Sequence, residues 1–301
     1  LHNDLLRKDF REIAGMEGYA KKSCHDFNLT NLHAHGAHVQ PNYATPLASD
    51  QCFGEGCAAG GRYYGDNVLL EVGQGKVAQY RWDLDEDGVH EAGTDWYHPH
   101  IHGSTAIQVI NGAMGALIIE GEIDKVPGIA KATERVMVMH QVPIDSEQTV
   151  PLADGETCRE ETLSVNNFLT VSQFSPTLIN GKLRPRMVTP PGQVERWRMI
   201  YGGNPDEMGI KLHRSLDDKC GSWDVLTPIW LTQIARDGQT LPQFYKSDTI
   251  WVSPGYRVDS MVKMPTEKQT LCLVSRRIRD LTGSVIAVID VDPAAGEPTE
   301  A

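Results

Sequence analysis

Two pairs of histidines, His33-Ala34-His35 and His98-Pro99-His100, each set imidazoles two residues apart. In an extended strand, side chains at i and i+2 leave the same face, so each pair presents two rings together. Two such strands side by side make a four-imidazole cluster, a donor set suited to copper or zinc. Gly36 follows the first pair, and Gly103 closes the run Ile101-His102-Gly103 after the second. Glycine there lets the backbone approach where a Cβ would obstruct it. One such pair arises easily by chance. Two, both in strand-like surroundings and both running into glycine, point to a metal site.

The elements that must position these pairs read as strands. Arg135 to Gln141, Val194 to Ile200, Thr249 to Val252, Arg257 to Lys263 and Ser284 to Val291 are short alternating runs bounded by turn residues. Long amphipathic helical repeats are absent, although Leu5 to Lys22 reads as a short helix. Many short strands with frequent Gly and Pro argue for an all-β chain of sandwiches or barrels. A chain of 301 residues is long enough for two domains, each with its own core. A Gly-, Pro- and charge-rich stretch from Gly121 to Lys131 follows the apolar strand Ala116 to Ile119 and marks the boundary. The expected domains are therefore 1–125 and 132–293, with 294–301 a Pro-, Ala-, Gly- and Glu-rich linker. Nine of the eleven histidines lie at or before His102, which assigns the metal chemistry to the first domain.

A net charge of −12 argues against a nucleic-acid partner, because phosphate binding needs a positive field. No apolar run approaches the length of a membrane span, and Ala113 to Ile119 is far too short. Six cysteines do not make a disulfide framework in a chain of this size. Cys24, Cys52 and Cys57 do cluster near the first histidine pair, where one bridge can form in an exported protein. Asn28-Leu29-Thr30 is a glycosylation sequon, meaningful only in a eukaryotic secretory setting. Arg196, Arg198 and Arg257 are candidate catalytic cations, but read better as partners of acidic residues such as Asp259.

Asn31-Leu32-His33-Ala34-His35-Gly36 and Trp96-Tyr97-His98-Pro99-His100 resemble the first two copper-binding motifs of the laccase-like multicopper oxidases. Gln108-Val109 and Gly115-Ala116-Leu117-Ile118-Ile119 are similar to the pattern that follows the second motif. Asn180-Gly181, Pro190-Pro191-Gly192, Val194-Glu195-Arg196-Trp197-Arg198, Ile234-Ala235-Arg236-Asp237-Gly238 and Pro254-Gly255-Tyr256-Arg257-Val258-Asp259 resemble the family's middle domain. The resemblance implies consecutive cupredoxin-like Greek-key barrels, the first incomplete at its N-terminus and the second without metal ligands. It also implies that a third cupredoxin domain is missing. The family's later motifs, of the form H-P-x-H-x-H and H-C-H-x-x-x-H, are not found, so the blue type 1 copper site is absent from this chain. Cys24-His25 is the nearest imitation, with Ser23 where the first histidine would stand.

Carried over position by position, the resemblance makes His33 a ligand of the type 2 copper, and His35, His98 and His100 ligands of the type 3 pair. Dioxygen is the implied partner at that three-copper centre, reduced to water by four electrons. The reducing substrate (a phenol, bilirubin or a metal ion) stays open. Asp66, in Gly65-Asp66-Asn67, resembles the family acid that relays protons; Asp50 is a rival, and either can equally be a turn residue. His102 extends the alternation but matches a position that is generally not a ligand; His38 and His90 read as loop histidines. Trp96 and Tyr97 read as packing beside the cluster. A periplasmic or extracellular location follows by family analogy. By itself the chain is expected to be neither blue nor active in phenol turnover. The alternatives are a copper-binding cupredoxin protein without catalysis and a degenerate cupredoxin scaffold acting through protein contacts. Zinc hydrolysis is weaker, since no glutamate within the motifs supplies a general base.

Overall fold

The computed structural model describes residues 1–5, 28–41, 63–84, 90–142, 144–151, 157–163, 176–203, 207–277 and 280–299. The expected helix from Leu5 to Lys22, the Cys24-His25 pair, Asp50, Cys52 and Cys57 fall, beyond Leu5 itself, outside these residues. The described chain is predominantly strand, as alternation bounded by turn residues requires. It groups into two compact units, one of residues 1–90 and 96–117, the other of residues 91–95 and 118–301.

In the second unit a seven-stranded sheet runs in the order Lys182–Leu183, Thr177–Ile179, Thr133–Gln141, Val194–Tyr201, Arg257–Lys263, Leu231–Arg236, Gln239–Ser247. A five-stranded sheet runs Arg186–Thr189, Asp280–Val291, Gln269–Arg277, Met208–Arg214, Ile250–Val252. Their inward residues form one apolar core. Met137, Trp197, Met199 and Val258 from the first sheet meet Ile210, Leu212, Leu271 and Ile289 from the second. The result is a cupredoxin-like β-sandwich.

Two strands of that sandwich carry the arginines singled out above. Arg196 and Arg198 both donate to Asp259 Oδ2, at 2.7 and 3.1 Å, from the strand beside it. Thr94 Oγ1 donates to the other oxygen at 2.6 Å, and Asp124 and Glu134 complete the pairing. Arg257 bonds Asp95 at 3.1 Å and Asp237 at 3.2 Å. Thr94 and Asp95 are thereby tied into this network, which is why residues 91–95 group with the second unit. The arginines are structural partners of buried carboxylates, as burying a charge demands.

Three features were not legible beforehand. A disulfide joins Cys220 to Cys272 across 52 residues, in a region where no bridge was expected. Thr299 accepts from and donates to the Gln193 amide, at 2.7 and 3.0 Å, so the expected linker lies against the second unit as far as that residue. Asn28 of the sequon is only 6 % exposed, and its carbonyl accepts from Asn3 Nδ2, so the folded chain holds it as a buried residue. No helix among the described residues is long and apolar enough to cross a membrane.

Candidate metal centre

In the first unit the strand His33–His35 pairs antiparallel with the strand Gly93–His98, in the register His33↔His98, Ala34↔Tyr97, His35↔Trp96. Alternation turns Ala34 into the core and leaves His33 and His35 on the opposite face. Gly36, just past the strand, takes a φ of 99°, a conformation that favours glycine and turns the chain away.

Four imidazoles converge on this face. The His33 ring centroid lies 5.5 Å from His35, 5.2 Å from His98 and 5.0 Å from His100. His35 lies 5.4 Å from His98, and His98 5.9 Å from His100. One ligating nitrogen from each of His33, His35 and His98 falls within 4.8 Å of the others, close enough for a single ion to bridge all three. His35 Nδ1 and His98 Nε2 are 3.1 Å apart.

Second partners fix the ring orientations, as metal-binding histidines generally require. His33 Nδ1 lies 2.8 Å from Asp66 Oδ2, while Asp66 Oδ1 accepts the Ala34 N–H, also at 2.8 Å. An ionised carboxylate only accepts, so the His33 proton sits on Nδ1 and the lone pair on Nε2. His98 Nδ1 lies 2.8 Å from the Pro99 carbonyl, which by the same reasoning leaves Nε2 bare. Burial drives the His98 imidazole down to about 4, helped by His33 and His100 and opposed by the Pro99 carbonyl. It is therefore a neutral donor throughout the physiological range, the form that ligation needs.

Asp66 itself is brought in by a close backbone approach. Its N–H bonds the Gln40 carbonyl at 2.9 Å, and a Cβ on Gly65 would stand 2.0 Å from that same oxygen. Glycine is the residue that permits this crossing. Trp96, 4 % exposed, stacks on His98 at 4.1 Å and lies 5.1 Å from His35, so its indole forms one wall behind both rings. Burial pushes the Tyr80 phenol up to about 12, and its oxygen accepts the Leu32 N–H at 3.1 Å. Tyr80 was not foreseen, because nothing in its spacing ties it to the histidines. His102 sits in an exposed turn outside the cluster, and His38 and His90 form a separate ring contact at 5.5 Å.

The donor set fits copper. It is all imidazole and partly buried, and the carboxylate beside it among the described residues, Asp66, is already engaged by hydrogen bonds.

No protein-family model matches the chain. It is similar to the multicopper oxidase mco of Staphylococcus aureus, 26 % identical over 206 residues that make up 68 % of this chain and 39 % of that protein. The namesake protein of Staphylococcus haemolyticus is 24 % identical over 201 residues. Among solved structures, the multicopper oxidase McoA of Aquifex aeolicus superposes with a TM-score of 0.61 at 19 % identity, covering 90 % of this chain and 52 % of the other. The laccase-like multicopper oxidase CueO of Ochrobactrum sp. gives 0.57 at 18 %, covering 91 % and 51 %. The chain thus spans about two fifths of the length of its curated relatives and about half of the solved ones.

Proposed function

We propose that this chain, a member of the multicopper oxidase family, holds copper through His33, His35, His98 and His100 as part of a centre that reduces dioxygen. The convergence of four imidazoles across one antiparallel strand pair carries this reading. His33 would hold the type 2 copper, and His35, His98 and His100 the type 3 pair. Copper bound there supplies one-electron redox chemistry, by which a whole enzyme of this family couples oxidation of a reducing substrate to formation of water.

The chain's own residues prepare the site. Asp66 keeps the His33 proton on Nδ1, and the Pro99 carbonyl keeps the His98 proton on its Nδ1, so both Nε2 atoms stand ready to ligate. Trp96 closes one side against water. Among the described residues Asp66 is a carboxylate in reach of the cluster, and we assign it the proton relay through its Oδ2 contact with His33. The Cys220–Cys272 disulfide supports a location outside the reducing cytosol.

Copper titration of the metal-free chain tests the reading, followed by electron paramagnetic resonance. Bound Cu(II) should show coupling to several imidazole nitrogens, and His33→Ala or His98→Ala should abolish it. Failure to retain copper after dialysis would refute it. Retention without oxygen consumption, even in a full-length protein, would favour the non-catalytic copper-binding alternative.

A further inference from the structure

Three of the four imidazoles have an evident support: Asp66 for His33, the Pro99 carbonyl for His98, and the Trp96 wall for His35 and His98. His100 is different. It lies past the end of its strand, exposed, with His33 and His98 as ring neighbours. The ladder with His33–His35 stops at His98. Continuing the register His33↔His98 by two residues places Asn31 opposite His100. At that position the backbone bond is replaced by a side chain. Asn31 Oδ1 accepts the His100 N–H at 2.6 Å, and Asn31 Nδ2 donates to the Val68 carbonyl at 2.9 Å. Asn31 is 0 % exposed, so both bonds are shielded from water.

We infer that Asn31 is the positioning residue for the fourth imidazole. Its amide substitutes for a backbone rung of the ladder and pins the His100 backbone so that its ring lies beside His33, centroids 5.0 Å apart. The Val68 bond anchors the same amide on its other side. This rests on the copper reading above, yet part of its test needs no metal.

The experiment uses Asn31→Leu, which has similar size but no hydrogen-bonding atoms, and Asn31→Asp, which keeps an acceptor for the His100 N–H. Thr30→Val is the control: Thr30 is buried and bonds Gln108 Oε1 at 2.8 Å, but does not touch His100. In the metal-free chain, hydrogen exchange of the segment containing His100 should speed up in Asn31→Leu. It should be restored in Asn31→Asp and stay unchanged in Thr30→Val. Cu(II) affinity should fall on the order of 10- to 100-fold in Asn31→Leu, the usual cost of losing a support behind a ligand. Combining Asn31→Leu with His100→Ala should weaken binding no further than His100→Ala alone, since both remove one ligand.

Equal copper loss in Thr30→Val and Asn31→Leu, or multiplying effects of Asn31→Leu and His100→Ala, would overturn the assignment. So would unchanged exchange at His100 in Asn31→Leu. Should Asn31→Leu fail to fold, protection of His100 in Asn31→Asp decides alone: retained protection supports the assignment and lost protection overturns it. If the parent chain binds no copper, the copper reading fails while the exchange result still judges the role of Asn31.

Discussion

Replacing Asp66 by asparagine should harm copper binding more than deleting its side chain, although it harms the fold less. Asp66 uses one oxygen to accept the Ala34 N–H and the other to face His33 Nδ1, each at 2.8 Å. In Asp66→Asn the amide oxygen must face Ala34, because its NH2 group would otherwise meet a second donor. The NH2 then faces His33 Nδ1, which has to become an acceptor. The ring proton moves to Nε2, the nitrogen needed for the metal. The wrong tautomer is enforced by a substitution that preserves shape. Loss of a support behind a ligand costs about 10- to 100-fold in affinity, or about 1.4–2.8 kcal/mol. Asp66→Asn should fall at the upper end. In Asp66→Ala the ring is free to take the competent tautomer, and the loss should be nearer tenfold. Stability should run the other way. Asp66→Ala leaves the Ala34 N–H without its acceptor, at about 1–3 kcal/mol, whereas Asp66→Asn retains that bond. Competitive Cu(II) titration, urea denaturation and nitrogen NMR of the His33 ring measure the two orders and the tautomer. If Asp66→Asn binds copper as well as the parent, or Asp66→Ala binds worse than Asp66→Asn, the assignment of the His33 proton is wrong.

Other consequences follow from the second unit. Asp259, 1 % exposed, is shared by Arg196, Arg198 and Thr94; Asp259→Ala leaves two buried guanidinium groups leaning on Asp124 and Glu134. Removing one partner of a buried pair costs about 3–5 kcal/mol, which urea denaturation followed by tryptophan fluorescence should register. Replacing Cys220 and Cys272 together by alanine frees a loop of 52 residues in the unfolded chain and should cost about 2–4 kcal/mol. Reductant should then lower the stability of the parent but not of the double variant. Burial holds the His140 and His213 imidazoles below their ordinary value; for His213, Lys211 adds to this and the Asp224 carbonyl opposes it. The unfolded chain takes up these protons at about pH 6.5 while the folded chain resists them. Stability should therefore fall as pH drops below that value, and less steeply in His140→Gln; an unaltered slope would remove His140 from the account.

How much of this was legible depended on the reach of each interaction. Arg257–Lys263 coincides with its alternating run, and Val194–Tyr201 extends the expected strand by one residue, because turn residues bound both and both lie inside the sheet. Gln239–Ser247 was not foreseen: it is an edge strand, exposed along most of its length, and shows no burial alternation to read. The histidine pairs were legible because ligation leaves a two-residue period in the sequence. Asp66 could be named as a candidate acid, but its double hydrogen bond depends on where Gly65 crosses Gln40, which no local pattern encodes. The Cys220–Cys272 bridge and the Thr94–Asp259 bond, 165 residues apart, are products of tertiary folding alone.

The same distinction separates the ligands from what holds them. Each imidazole comes from a short motif, but its usable nitrogen is chosen by a partner of another kind: a carboxylate for His33, a carbonyl one residue on for His98. Only the second is local in sequence. The Pro99 carbonyl fixes the tautomer of His98, and past the end of the ladder the His100 N–H is held by the Asn31 side chain. An H-x-H segment grafted onto another strand pair would carry the His98 tautomer with it. It would not carry the His33 tautomer or the placement of His100, because Asp66 and Asn31 lie outside that segment. The motif specifies which atoms can bind, and the surrounding fold decides whether they are presented in the form that does.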